Sequence, residues 1–172
     1  MESDKRDVIW ERTYYTYYET YFFELICDGV ISRWQLTSDF SKLLVAITTS
    51  GSAISSWALW KNSIGVYVWV LIVGIASVLS IVNATWSATN KIKEWTEIKN
   101  YCINLRIEIE IFKDNMLIDP DFNVEEFQRT LMKYKKNFGE LKKKLKPDVF
   151  IRKRLRDQAQ NKLNIYIQSY AR

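Results

Sequence analysis

From Ile64 to Ala84 the chain reads IGVYVWVLIVGIASVLSIVNA, twenty-one residues without a charge. As a helix the stretch would be roughly 31 Å long, which matches the hydrocarbon core of a bilayer. Core helices of soluble domains seldom stay uncharged over such a length, so the stretch reads as a transmembrane span rather than as half of a buried globular hairpin. It belongs to a longer segment, Leu43 to Asn90, whose single charge is Lys61. The first arm of this segment is more polar, because six of the nine residues from Thr48 to Ser56 carry hydroxyls. It is expected to insert as the partner of the second arm. Aromatic residues sit where membrane interfaces would put them: Trp57, Trp60, Tyr67 and Trp69 bracket the Lys61 turn, Trp34 and Phe40 precede the first arm, and Trp86 follows the second. The fold class this predicts is an all-α membrane protein, a two-helix transmembrane hairpin with a cytoplasmic helical, coiled-coil-like bundle. The mean hydropathy of the whole chain, -0.20, is held down by its charged ends.

Orientation follows from the basic residues beside the hairpin. Arg33 and Lys42 stand before it and Lys91, Lys93, Lys99 and Arg106 after it, against Lys61 alone in the connection. The positive-inside rule then places both termini in the cytoplasm. The segment 1–42 is predicted to be a cytoplasmic or interfacial helix with an aromatic stripe of Trp10, Tyr14, Tyr17 and Tyr21, capped by Ser3 or Asp4 and stopping at Asp28-Gly29. Residues 43–60 form the first span, 61–63 a short extracytoplasmic turn, and 64–86 the second span, which continues as a helix to about residue 117.

Beyond the second span the apolar residues Trp95, Ile98, Cys102, Leu105, Ile109, Phe112 and Met116 recur at alternating spacings of three and four, a heptad seam. Asp119-Pro120-Asp121 ends it, and Asn123 with Glu126 reads as a capping box for a helix over 123–145. That helix carries its own seam, Phe127, Leu131, Tyr134, Phe138, Leu141 and Leu145, so the pair is predicted to fold back as an antiparallel hairpin. After Pro147, with Asp148 as cap, a last helix over 149–171 presents Ile151, Leu155, Ala159, Leu163, Tyr166 and Tyr170.

Composition removes most chemistry. There is no His, the commonest general base and metal ligand, and the two cysteines, Cys27 and Cys102, cannot make a metal site alone. No glycine-rich phosphate loop and no nucleophile paired with a base is visible. The chain is therefore not expected to be an enzyme, and no catalytic, cofactor-binding or metal-binding residue is assigned. The thiols are expected to be free, since both fall on the cytoplasmic side.

Four sets of residues stand out instead. Thr48, Ser52 and Ser55 share one helical face and are candidate pore-lining residues. Ala76, Ser80 and Ala84 form a small-residue row suited to close helix packing. Trp95, Ile98, Leu105, Ile109 and Phe112 are expected to form an oligomerisation seam. Lys142, Lys143 and Lys144, with Arg152 and Arg154 beyond Pro147, make a basic surface suited to a solvated face or to anionic headgroups. Aromatic interleaving is thin there, and nucleic acid is not an expected partner.

Two spans joined by a very short turn, a second span running on through NATWSATNKIKEWTEIKNYCINLRIEIEIFKD, and an aromatic helix before the first span together resemble the SLATT group. These are bacterial two-transmembrane effectors associated with nucleotide-signalling and reverse-transcriptase defence systems. The resemblance covers about residues 10–145 and is one of architecture and pattern, without an invariant motif. It implies a homo-oligomeric pore in the bacterial inner membrane that disrupts that membrane during abortive infection by phage. Its partners would be membrane lipids, further copies of itself, and a nucleotide second messenger or a sensor protein encoded nearby as trigger. The competing expectation is a membrane-anchored scaffold or adaptor without a pore.

Overall fold

A computed structural model of the chain describes residues 5–51, 63–86, 88–118, 123–144 and 147–170, with only the backbone described at 44, 47–51, 63–64, 69, 72, 79–86, 144 and 170. Every regular element among the described residues is helical: α1 (Lys5–Gly51), α2 (Ser63–Trp86), α3 (Ala88–Ile118), α4 (Val124–Lys144) and α5 (Lys153–Tyr170). The protein is all-α. It divides into two compact units, Met1–Val30 with Trp95–Arg172, and Ile31–Glu94.

In the first unit, the early turns of α1 pack with α3, α4 and α5. Cys102, Leu105 and Ile109 of α3 meet Phe138 and Leu141 of α4 around Tyr17 of α1. One level along, Phe112 and Met116 of α3 meet Phe127 and Leu131 of α4 around Ile9 of α1. Higher numbers on α3 pair with lower numbers on α4, so the two run antiparallel, the arrangement their matching seams predict. On α5, Leu155, Ala159 and Leu163 are buried at spacings of four, as an amphipathic helix requires.

The inward stripe of α1 is not the aromatic one. Its fully buried positions are Thr13, Thr16, Thr20, Cys27 and Val30, each at most 2% exposed, with Tyr17 as the one deeply buried ring of the predicted stripe. Each threonine hydroxyl donates to a carbonyl four residues earlier, Thr13 to Ile9, Thr16 to Arg12 and Thr20 to Thr16, all at 2.8 Å. With their polar atoms satisfied inside the helix, these short side chains let neighbouring helices come close to α1. The rings flank that contact line and fill the space beside it. Tyr21 lies 4.7 Å from Tyr166, and Phe23 meets Phe138 edge-on at 5.3 Å.

The predicted helix stop at Asp28-Gly29 is corrected: α1 continues unbroken through both residues to Gly51. Gly29 serves a different purpose there. A Cβ at this position would collide with the Leu155 side chain of α5, so the missing side chain is what allows the two helices to touch.

The second unit contains the end of α1, α2 and the start of α3. Its buried residues include Trp34, Ser38 and Ser41 on α1, Ala76 on α2 and Ala88 on α3. Apart from the tryptophan, these are small side chains of the kind that permit close helix approach.

Candidate functional site

The second unit shows an unusual surface. Along α2, Tyr67, Val68, Val70, Leu71, Ile75 and Val78 are exposed by 46% or more, whereas Ala76 is buried at 6%. Exposed apolar side chains thus lie on more than one side of the helix, and Ala76 marks the side that packs. Ser77 donates from its hydroxyl to the Val73 carbonyl at 2.8 Å, so it asks nothing of its surroundings. Among the described residues, no helix is long and apolar enough to cross a membrane. Of the sequence-predicted residues in this unit, Ser52 and Ser55 lie outside the described residues, and so do the side chains of Thr48, Ser80 and Ala84.

The proposed oligomerisation seam is corrected by the first unit. Trp95, Leu105, Ile109 and Phe112 are between 0 and 6% exposed within a single chain, and Ile98 packs against the same core. They face α1 and α4 of their own chain. Heptad spacing calls for a covering partner, and here that partner is intramolecular.

The basic surface also loses a member. Lys142 forms an ion pair with Glu19, and its ammonium lies 4.4 Å from the Phe138 ring centroid. It is a clamp between α4 and α1 rather than part of a solvated charge run. Lys143, Arg152 and Arg154 are exposed, Arg152 donating to the Val149 carbonyl at 3.1 Å, and the Lys144 side chain lies outside the described residues.

Further polar pairs fasten α3 to α1. Arg106 donates to Glu24 at 2.9 Å and to the Tyr17 hydroxyl at 3.4 Å, and Tyr17 shares a hydrogen bond of 2.8 Å with Tyr166. Burial opposes the Arg106 charge, but the bonds to Tyr17 and Glu24 outweigh it and hold its pKa above the ordinary value. Lys99 meets Asp28 at 2.6 Å, and that hydrogen bond, against the cost of burial, likewise favours the charged lysine.

The same unit contains a cavity of about 560 Å³ with Phe22, Phe23 and Trp95 in its wall. Ile26, Pro147 and Ile151 complete its apolar lining, and Asp148 and Arg156 supply one charge of each sign. Asp148 is held in place: one oxygen accepts the Trp95 indole N–H at 2.9 Å and the other the Phe150 amide at 3.0 Å. This corrects the predicted helix cap, because α5 starts at Lys153 and Asp148 instead shapes the turn before it, with the Ile151 amide bonded to its carbonyl at 3.1 Å. The cavity was missed in the sequence because its walls come from three separate segments. The available signal was Trp95, whose indole N–H needs a partner once the ring is buried in a seam.

Among the described residues no group of acidic, Cys or His side chains could hold a metal ion. No protein-family model, curated protein or solved structure matches the chain.

Proposed function

We propose that the protein is a membrane-embedded, oligomeric effector of an anti-phage system that disrupts the bacterial inner membrane when activated. Both termini face the cytoplasm, the segment from Leu43 to Trp86 lies in the bilayer, and the helical unit of α1, α3, α4 and α5 receives the signal. The observation that carries this reading is the apolar surface of α2. Its sequence has no charge, and Val70, Leu71 and Val78 are all at least 60% exposed. Each exposed apolar group costs free energy in water at about 25 cal/mol per Å², a cost that lipid removes. A helix apolar on most of its circumference belongs in a core or a membrane, and the exposed side chains of α2 favour the membrane in this reading.

The pore itself rests on the hydroxyls of Thr48, Ser52 and Ser55 and on the likeness in architecture to the SLATT group. A nucleotide second messenger or a sensor protein is the proposed trigger. The cavity lined by Phe22, Phe23 and Trp95 is the proposed place for a nucleotide, with aromatic residues for its base and Arg156 as a cation for its phosphates. No catalytic step is part of this reading.

The competing role, a membrane-anchored scaffold, draws on one specific observation. The helical unit closes its seam within a single chain, so its fold does not require a second copy. Induced expression with a potential-sensitive dye separates the two. A pore predicts loss of membrane potential, abolished when Ser52→Leu and Ser55→Leu are combined in a protein that still accumulates, because apolar side chains narrow and dewet the path. Membrane-bound protein with unchanged potential would favour the scaffold.

A further inference from the structure

At the end of the first unit where α1 and α4 both begin, a cavity of about 300 Å³ opens between their first turns. Its apolar lining is Val8 and Ile9 from α1 with Val124, Leu131 and Met132 from α4, and it contains no aromatic ring. Around that floor stand three cations, Lys5, Arg12 and Lys135, with Gln128 as the only other polar side chain. Among the described residues no carboxylate lines the cavity. Among the described residues none of these three cations has an ion-pair partner, in contrast to Lys99, Arg106 and Lys142 of the same unit, which are all paired across helices. On α4, Glu125 is engaged with Arg129 at 3.6 Å.

Like charges lining one cavity repel each other, and an anion bound among them relieves that repulsion. The floor adds a second requirement, since aliphatic side chains favour an aliphatic group and offer no ring for a base to stack on. We infer that this cavity binds a single-chain anionic amphiphile, with an acyl or alkyl tail on the floor of Val8, Ile9 and Met132 and an anionic head among Lys5, Arg12 and Lys135. Its volume lies at the small end of ligand pockets, which suits one chain rather than a two-chain lipid. The inference is independent of any membrane activity.

The test is equilibrium dialysis of radiolabelled dodecyl phosphate against the full-length chain kept in a neutral amphipol, with protein-free amphipol as the partition blank. Saturable binding of one molecule per chain is expected. Dodecanol, which lacks the head, and inorganic phosphate, which lacks the tail, should each bind weaker by about tenfold or more. Reversing two rim charges with Arg12→Glu and Lys135→Glu should weaken dodecyl phosphate by a similar factor, as should filling the cavity from its exposed edge with Met132→Trp. Equal binding of dodecanol, binding that does not saturate above the blank, or unchanged affinity in both the charge-reversed and the Met132→Trp variants would each overturn the inference.

Discussion

A methyl group at residue 29 would run into Leu155, a buried side chain with little room to move. Gly29→Ala should therefore destabilise the helical unit by about 1–3 kcal/mol through overpacking. Leu155→Ala alone should cost about 2–5 kcal/mol by leaving a cavity. Combined, the two should cost less than their sum, because the new methyl occupies part of the vacated space, and chemical denaturation of all three variants measures that coupling. Cys27 and Cys102 provide a second test at this scale. Both thiols are free and fully buried, and the hydrogen bond that the Cys27 S–H shares with Cys102, reinforced by burial, pushes the Cys27 thiol well above its ordinary pKa of 9.0. Since the folded pKa lies above the unfolded one, the neutral thiol's stabilisation is complete below about pH 9 and is lost as pH rises beyond it. Alkylation by iodoacetamide at pH 8 should be slow in the folded chain and fast after denaturation. Equal rates would mean that the thiols are not buried.

Among the elements, α3, α4 and α5 could be read from their apolar spacing alone. Trp95, Cys102, Leu105, Ile109, Phe112 and Met116 are all buried, as are Phe127, Leu131, Phe138 and Leu141. Spacing identifies a covered face but not what covers it, which is why a seam that closes inside one chain reads equally well as a contact between chains. α1 was harder to read for three physical reasons. Its contact line is made of threonines that look polar until their hydroxyls are seen bonded to their own helix. Its glycine marks a helix crossing instead of an end, and the partner of Glu19 is Lys142, far away in sequence. α2 carries its own prediction. Space around Gly74 is open, since a Cβ there would meet nothing within 4 Å, so Gly74→Ala should leave accumulation unchanged. Gly74→Asp tests the surroundings instead, because a carboxylate in mid-span costs about 2.5–3.5 kcal/mol on the insertion scale. The fraction of protein recovered in membranes should fall for Asp and not for Ala, whereas a helix standing in water would tolerate both.

The whole molecule combines a helical unit with a closed core and, on α2, exposed apolar side chains such as Tyr67, Val70, Leu71 and Val78. The first is built from seams, threonine-lined contacts and the Arg106, Lys99 and Lys142 clamps. The proposed bilayer would cover the exposed side chains of α2. Washing membranes from cells expressing the full-length chain in alkaline carbonate is the most direct test, because it strips proteins held by charge and leaves those whose helices lie in the hydrocarbon. The account predicts that the chain stays in the membrane pellet together with an integral marker, and its release into the supernatant with peripheral proteins would contradict it.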